Sequence, residues 1–331
     1  MIKLSRRSVL AGGVGAVGLM VGAGITGAKA ASDTVRVAWG DVIDVDSLPM
    51  AVAWARIKAR GVDNEITSFA QEDLAIQATI GGQMDIGVAT PFAVMQKITD
   101  LRLFFQEEAL IFYAVVSNEY KTWKDLDGQP FVFHARGSGT EAYGEFMAKE
   151  EDIHFGEISY LPGSDNRAVA MLGGQIKATI LDPANTALVL EKAPDQFHLL
   201  PGPALPPTTE GLFAHQAWMK AHPDEVAVIT EEFLKLWREM NANPGIIAEE
   251  RVKFGLIPDQ PNLTAEAITT SVKRSVEAHV WSPEGGSEKM AKADLDFYSI
   301  AGSLTGPRDA LKVSDFWDLA PLEAAKKKLG A

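Results

Sequence analysis

Cysteine is absent from all 331 residues of the chain. This absence excludes disulfide bonds, zinc–thiolate sites, iron–sulfur clusters and thiol nucleophiles. Histidine is scarce as well: six residues are scattered along the chain, and none of them stands in the H-E-x-x-H spacing or a comparable metal-binding motif. We therefore expect no metal, no cofactor and no catalytic residue, in a protein that is not an enzyme.

An excess of basic residues is also missing. The chain has 31 basic and 44 acidic residues, which gives a formal net charge of −13. Four basic residues and no acidic one precede Asp33, so a chain that begins near Ala31 would carry −17. Binding to a phosphate backbone or an anionic membrane requires a positive face. The charge therefore argues against both as partners.

Long apolar runs are confined to the N-terminus. Arg6 and Arg7 precede an apolar, glycine-rich run over residues 9–25, and Ala-Lys-Ala follows at 28–30. This order is typical of a secretory signal peptide, and the arginine pair favours the twin-arginine type, with the general secretory route left open. We predict that residues 1–30 are cleaved near Ala30 and Ala31 and that the protein acts in the periplasm.

The remaining sequence has the pattern of an α/β protein. Hydrophobic residues make up 47% of the full chain, enough to build one large domain or two moderate ones. From Thr34 to Val88 strands and helices alternate, as in a parallel sheet flanked by helices, and the same order restarts after Ser117. Beyond Pro207 the sequence is mostly helical. We predict two lobes, each a mostly parallel sheet flanked by helices, and a helical C-terminal tail that packs on the first lobe.

One phrase occurs twice. "GGQMDIGVATP" spans Gly81–Pro91, and "GGQIKATILDP" spans Gly173–Pro183. In each copy Gly-Gly ends a helix, a short apolar strand follows, and proline begins the next helix. In open α/β sheets, ligands bind beyond the carboxyl ends of the strands, close to helix N-termini. We therefore predict that each copy builds one wall of a shared binding site.

These features, with "VRVAWG" near the start and "WKDLDGQPFVFHARGSGTEAY" after the first unit, resemble the periplasmic solute-binding proteins of ABC importers. The similar branch includes nitrate, taurine and alkanesulfonate binders and their thiamine-pyrimidine relatives. The resemblance covers roughly Thr34–Lys192. It implies the two-lobed type II fold and a protein, expected to be a monomer, that hands a small organic anion or zwitterion to a permease in the inner membrane. The candidate solutes are sulfonates such as taurine, carboxylates and nitrate.

The resemblance also implies boundaries between the lobes. The first lobe would comprise residues 32–115 and 212–331, and the second lobe residues 116–211. The hinge crossings would fall near Val115–Asn118 and Pro207–Phe213. Ligand-induced closure about these crossings is the expected motion.

Four loops would supply the ligand contacts. By resemblance, the site residues are Trp39, Gly40, Asp41, Thr90, Pro91, Phe92, Arg136, Ser138, Gly139, Thr140, Asp182 and Asn185. Trp39 and Phe92 would cover the apolar part of the solute, and the hydroxyls and N–H groups near Ser138 suit an oxyanion. Whether Asp41 and Asp182 face the cleft is open. If they do, the solute carries an ammonium group as well.

Two further features are expected to lie outside the site. Glu107 and Glu108 interrupt two predicted strands near the first hinge, which favours an exposed charged pair. Trp281 lies in a helical stretch, where we expect it to serve packing. Neither is counted among the candidate contacts.

A rival interpretation uses the loop at Gly137–Ala142. This segment fits the G-x-G-x-x-A variant of the dinucleotide fingerprint, between a predicted strand and a helix. It would make the protein an exported, cofactor-dependent oxidoreductase. The fingerprint also requires an acidic residue at the tip of the following strand, yet that strand ends at Leu161-Pro162, and Asp165 comes only after the turn. The binding-protein interpretation is therefore the one we favour.

Overall fold

The computed structural model describes residues 34–42, 47–202, 207–257 and 263–330. The predicted signal peptide, residues 1–30, lies outside these ranges. Within them, no helix is long and apolar enough to cross a membrane.

Ten strands form two five-stranded sheets in the described ranges. The first sheet contains β1 (Val35–Trp39), β2 (Asn64–Ser68), β3 (Ile86–Ala89), β4 (Leu101–Ala109) and β10 (Thr208–His215). The second contains β5 (Tyr113–Ser117), β6 (Phe131–Phe133), β7 (Ile158–Tyr160), β8 (Ala178–Leu181) and β9 (Phe197–Leu200).

Twelve α-helices flank these sheets in the same ranges. They are α1 (Leu48–Ala59), α2 (Glu72–Ile80), α3 (Phe92–Met95), α4 (Gly139–Glu150), α5 (Ser164–Leu172), α6 (Pro183–Lys192), α7 (Gln216–Ala221), α8 (Pro223–Ala242), α9 (Ile246–Phe254), α10 (Ala265–Glu277), α11 (Glu288–Ala301) and α12 (Ala320–Leu329).

The two sheets have the same topology. Their strand orders are β2-β1-β3-β10-β4 and β7-β6-β8-β5-β9. In each sheet the first three strands are parallel, and the fourth runs antiparallel to both of its neighbours. The two mixed sheets flanked by helices confirm the predicted fold class, and the matching strand orders account for the repeated sequence pattern.

The antiparallel strand of each sheet follows a crossing from the other sheet. The chain leaves the first sheet between β4 and β5 and returns to it between β9 and β10. All of β5 belongs to the second sheet and all of β10 to the first, so the predicted boundaries at 115 and 211 fall inside strands. The division of the chain into lobes remains a prediction.

The repeated phrase closes a helix in the same way in both copies. After α2, the N–H groups of Gln83 and Met84 both donate to the Ala78 carbonyl; after α5, those of Gln175 and Ile176 both donate to the Ala170 carbonyl. The second glycine of each phrase adopts a positive φ, 69° in one copy and 71° in the other. Glycine reaches this conformation without the steric cost that other residues incur.

Alanine in place of Gly82 or Gly174 should lower the free energy of unfolding by about 1 kcal/mol each. A Cβ atom at either position would meet no atom within 4 Å, so backbone strain is the whole of the expected cost. Asparagine tolerates the left-handed conformation better than alanine. Urea unfolding should therefore rank Gly above Asn and Asn above Ala at both positions; equal stability of the three would contradict the strain.

The C-terminal helices contact both sheet units. Helix α8 packs on α1 and α12, beside the first sheet, whereas α11 packs on α4. Phe297 of α11 stacks on Phe146 of α4 with ring centroids 4.9 Å apart, and Lys149 Nζ donates to the Ala301 carbonyl at 2.8 Å. The tail therefore extends beyond the first sheet, onto the helix that begins at the candidate site.

Candidate functional site

A cavity lies where the carboxyl ends of strands from both sheets meet. We call the side that carries β1, β4 and β10 the first wall and the side that carries β6, β8 and α4 the second wall. The first wall includes Trp39, Asp41, Glu72, Glu107, Glu108 and Glu210. The second wall includes His134, Ser138, Gly139, Thr140, Arg167 and Asp182.

Half of the predicted site residues line this cavity. They are Trp39, Asp41, Ser138, Gly139, Thr140 and Asp182. Both walls contribute, so the structure brings the first, third and fourth predicted loops together. Asp41 and Asp182 both border the cavity, which was left open by the sequence.

The second predicted loop lies behind the cavity. Phe92 is fully buried and stacks on Tyr298, with ring centroids 4.1 Å apart. The prediction that Phe92 covers the solute is therefore wrong, because α3 is a single turn packed into the core. Thr90 donates its hydroxyl to the Thr209 carbonyl and its N–H to Glu72 Oε2. Pro91 precedes Phe92 in the same buried turn.

The remaining predicted residues border the site without lining it. Gly40 donates its N–H to the Val88 carbonyl at 3.0 Å. Arg136 is exposed, with its guanidinium 5.3 Å from the centre of the Tyr160 ring. Asn185 holds the Asp182 carboxylate through its backbone N–H and its side-chain amide, both at 2.8 Å. As direct contacts of a solute in this cavity, these residues are not supported.

The N-terminus of α4 presents several polar groups to the cavity. Ser138 caps the helix, and its hydroxyl lies 3.0 Å from that of Thr140. Thr140 Oγ1 accepts a hydrogen bond from the His134 N–H at 2.9 Å. In the described part of the chain, the N–H groups of Gly139 and Thr140 have no acceptor. First-turn N–H groups such as these attract negatively charged oxygens.

Gly139 allows the two walls to approach each other. A Cβ atom at this position would lie 2.0 Å from Thr209 Oγ1 and 2.8 Å from Leu110 Cδ1. Thr209 belongs to β10 on the first wall, whereas Gly139 begins α4 on the second. The close packing of the two walls therefore explains a glycine at this position without the dinucleotide of the rival interpretation.

His134 directs a ring N–H into the site. Its side chain is 6% exposed and lines the cavity. Burial, followed by the charge of Arg167, lowers the pKa of His134 to about 3, so the ring is neutral near pH 7. Nδ1 accepts the Gly163 N–H at 3.3 Å, which places the proton on Nε2. Within the described part of the chain Nε2 makes no hydrogen bond of normal geometry: Asp41 Oδ1 is 3.8 Å away, and the Gly40 backbone is near enough to raise the pKa against the effect of burial.

Arg167 supplies a buried positive charge beside His134. The side chain is 1% exposed, and its guanidinium donates to the backbone carbonyls of Ile180, Leu161 and Gly163. It forms no ion pair with any residue in the described ranges. Burial lowers the pKa of Arg167 to about 10, against the opposing charges of nearby aspartates. The group therefore remains protonated near pH 7, with neutral partners only.

The first wall is acidic. Glu72, Glu107, Glu108 and Glu210 all line it. Glu107 is 3% exposed, so the expectation of an exposed pair at Glu107 and Glu108 is wrong. Burial raises the pKa of Glu72 to about 7 and, together with the charge of Glu210, raises the pKa of Glu107 well above its usual value. The two walls therefore differ in electrostatic character.

Aromatic side chains give the cavity apolar surface. Trp39, Phe112 and Trp281 line it. Trp281 Nε1 donates to Glu108 Oε1 at 3.3 Å, so this residue, which we expected to serve packing, also borders the site. Among the described residues, no group of three or more histidine or acidic side chains is arranged to hold a metal ion.

A family model described as NMT1/THI5 like matches residues 57–246. The match covers more than half of the chain. The chain belongs to the NMT1/THI5-like family. No curated protein matches its sequence, so solved structures provide the other comparisons.

Several solved structures resemble this NMT1/THI5-like protein. A protein of Bordetella bronchiseptica RB50 has a TM-score of 0.73 and 20% identity, over 90% of this chain and 98% of that one. The nitrate-binding protein NrtA of Synechocystis PCC 6803 has a TM-score of 0.66 and 12% identity, over 90% and 89%. The alkanesulfonate-binding protein SsuA of Xanthomonas axonopodis pv. citri, bound to MOPS, has a TM-score of 0.60 and 16% identity, over 82% and 94%.

These comparisons confirm the family resemblance that the sequence indicates. The NMT1/THI5-like chain has the periplasmic-binding-protein fold, and nitrate- and sulfonate-binding proteins share it. At this level of identity the likeness concerns the fold alone. What the NMT1/THI5-like chain binds depends on the side chains of its own cavity.

Several polar residues of this NMT1/THI5-like site were not among the predicted contacts, and four of them matter most here. They are Glu72, Glu107, His134 and Arg167. His134 directly follows β6, at the strand-end position that Asp182 has after β8. Arg167 follows Ser164, Asp165 and Asn166 in α5 and precedes its apolar half, so its burial is not marked locally. Nothing local marks Glu107.

Proposed function

We propose that the protein is the substrate-binding component of an ABC-type importer and that it captures a small organic solute between the two walls. The observation that carries this proposal is the Nε2–H of His134, which is buried, lines the cavity and makes no hydrogen bond of normal geometry within the described residues. A buried donor without an acceptor costs free energy, and an oxygen of the solute would supply the acceptor. The fold and the solute-binding neighbours support the same function.

The solute would carry an oxyanion, a sulfonate or a carboxylate. Arg167, the His134 N–H, the hydroxyls of Ser138 and Thr140 and the first turn of α4 all lie on the second wall. Charged and neutral donors that converge in this way suit an acidic group with several acceptor oxygens. Trp39 and Trp281 would cover the apolar part of the solute.

The cellular setting follows from the same proposal. The protein is exported through its N-terminal signal peptide, by the twin-arginine or the general secretory route, acts as a monomer in the periplasm and delivers its solute to a permease in the inner membrane. Closure is driven by the solute, which contacts both walls only when the cleft is shut. The close approach of Gly139 to Thr209 and of His134 to Asp41 supports a hinge that brings the walls together.

The direct test is mass spectrometry of the protein purified under native conditions. We expect one small organic solute per chain, and we expect that solute to raise the melting temperature in a thermal-shift assay, because a ligand that binds the folded state stabilises it. A stoichiometric nicotinamide or flavin would contradict the proposal and favour the rival oxidoreductase. The absence of any stabilising solute in a screen of sulfonates, carboxylates and amines would also contradict it.

The double variant S138A/T140A should weaken the binding of the identified solute by about 30-fold, because each hydroxyl contributes on the order of 1 kcal/mol. Isothermal titration calorimetry measures this change. Thr264→Ala is the matched control: Thr264 Oγ1 caps α10 by accepting the Ala267 N–H at 3.1 Å, away from the cavity. We expect that control to lose stability and keep affinity. Unchanged affinity in the double variant would remove both hydroxyls from the site.

A further inference from the structure

Glu107 occupies an irregular position in its strand. Opposite it in β10, Glu210 pairs with Glu108, and the next residue, Gly211, pairs with Gln106. Glu107 is therefore the extra residue of a β-bulge. A bulge interrupts the alternation of side chains and commonly redirects one of them at a functional site. Here the consecutive residues Glu107, Glu108 and Ala109 all line the cavity.

The Glu107 carboxyl group is buried without a partner. It is 3% exposed, and in the described part of the chain no N–H or O–H group donates to it and no basic side chain pairs with it. Its neighbour Glu210 repels its charge. Glu107 lines the cavity, so a solute bound there can reach its carboxyl group. A carboxyl group in this position is available to a hydrogen-bond donor of the solute.

The rest of the cavity shows what would satisfy Glu107. Among the described residues, six carboxyl groups line the cavity, on Asp41, Glu72, Glu107, Glu108, Asp182 and Glu210, whereas Arg167 is the one guanidinium there. The donors that suit an oxyanion lie on the second wall, and Glu107 lies on the first. A solute that spans the walls with an acidic group alone would leave the first wall without a complementary charge.

We propose that Glu107 is a specificity-determining residue that binds a protonated amine or amidine nitrogen of the solute. This inference rests on the proposed function, which it narrows from organic anions in general to solutes that carry both an oxyanion and a cationic nitrogen. The oxyanion binds the second wall and the nitrogen binds Glu107 on the first. The solute then provides the hydrogen-bond donors that the chain does not supply.

Matched pairs of probes test the inference. Taurine and propanesulfonate differ by an ammonium group in place of a methyl group, and β-alanine and butyrate differ in the same way. Calorimetry should show that the wild-type protein binds the amino member of at least one pair about tenfold more tightly or better, as expected for a hydrogen bond between charged groups. In Glu107→Gln the ratio of the affinities for the amino and the amine-free member should fall close to one, while the amine-free member keeps its affinity.

The stability of Glu107→Gln provides a second readout. Burial and the facing Glu210 raise the pKa of Glu107, so ionisation of Glu107 destabilises the free protein as the pH rises above the unfolded value of about 4.3. Glutamine does not ionise. The melting temperature of Glu107→Gln should therefore equal or exceed that of the wild type. The difference between the two melting temperatures should grow as the pH rises above the unfolded-state pKa of about 4.3. A purely structural carboxyl group would give a loss of stability instead.

Asp294→Asn is the matched control for a buried carboxyl group. Asp294 is fully buried outside the cavity, and its carboxylate accepts hydrogen bonds from Thr208 and from Trp317 Nε1. Burial raises the pKa of Asp294 to about 7. We expect this substitution to lower stability and to leave the preference for amino probes unchanged.

The outcomes separate the inference from the proposed function. Tighter binding of the amine-free probes, a co-purified solute without a basic nitrogen, or an unchanged preference in Glu107→Gln would overturn the inference and leave the binding function in place. If no probe binds and no solute co-purifies, the proposed function fails and the inference fails with it. An amine preference that disappears in Glu107→Gln supports both.

Discussion

Replacing Arg167 by lysine should lower the affinity for the identified solute, or for propanesulfonate as a probe, by about 100-fold. Lysine retains the charge but loses the planar group that donates to Ile180, Leu161 and Gly163. The shorter side chain also withdraws the charge from the second wall. Some carbonyls would remain unpaired, so unfolding in urea should show a loss of about 1–3 kcal/mol as well.

Arg251→Lys separates the two effects of this change. Arg251 also donates to backbone carbonyls, those of Leu263 at 3.2 Å and Ile257 at 2.8 Å, but it does not line the cavity. The control should lose stability and bind the solute as the wild type does. If Arg167→Lys folded and kept wild-type affinity, Arg167 would be a structural residue of the second wall. The proposed oxyanion site would then have no positively charged contact for the solute.

The features that the sequence predicts correctly depend on local signals. Gly82 and Gly174 end their helices because the chain needs a positive φ there, and that need is visible in Gly-Gly alone. The strand that follows each pair is apolar and short, and the residue after it necessarily lies at the sheet edge. Asp182 lies at such an edge, and His134 lies at the equivalent position after β6, whereas Trp39 was named by the family resemblance. Strand, helix and edge positions are thus readable from a few consecutive residues.

The features that the sequence does not reveal depend on distant segments. Phe92 is core because Tyr298, some two hundred positions away in α11, stacks on its ring. Glu107 is directed into the cavity by its pairing with β10, which follows it by about a hundred positions. Neither contact is marked in the neighbouring residues, so the local sequence does not distinguish a buried Glu107 from an exposed one.

Alanine in place of Gly139 should prevent full closure of the cleft and weaken solute binding by about tenfold or more, since overpacking costs on the order of 1–3 kcal/mol. The added Cβ atom would lie 2.0 Å from Thr209 Oγ1, across the two walls. Thr209 cannot easily retreat, because it is buried and its carbonyl accepts the Thr90 hydroxyl. Calorimetry measures the affinity, and small-angle scattering with solute present should show a larger radius of gyration than for the wild type.

Two variants distinguish a closure defect from general damage. Gly144→Ala introduces a comparable clash in the same helix, 2.4 Å from Phe133 Cε1, but Phe133 lies within the second sheet. It should therefore lower stability without opening the cleft. Adding Thr209→Ala to Gly139→Ala removes the obstructing oxygen and should restore part of the affinity. The free-energy changes of the two substitutions should therefore not be additive, as is usual for residues in contact. Independent, additive effects of the two substitutions would mean that the walls do not close at Gly139.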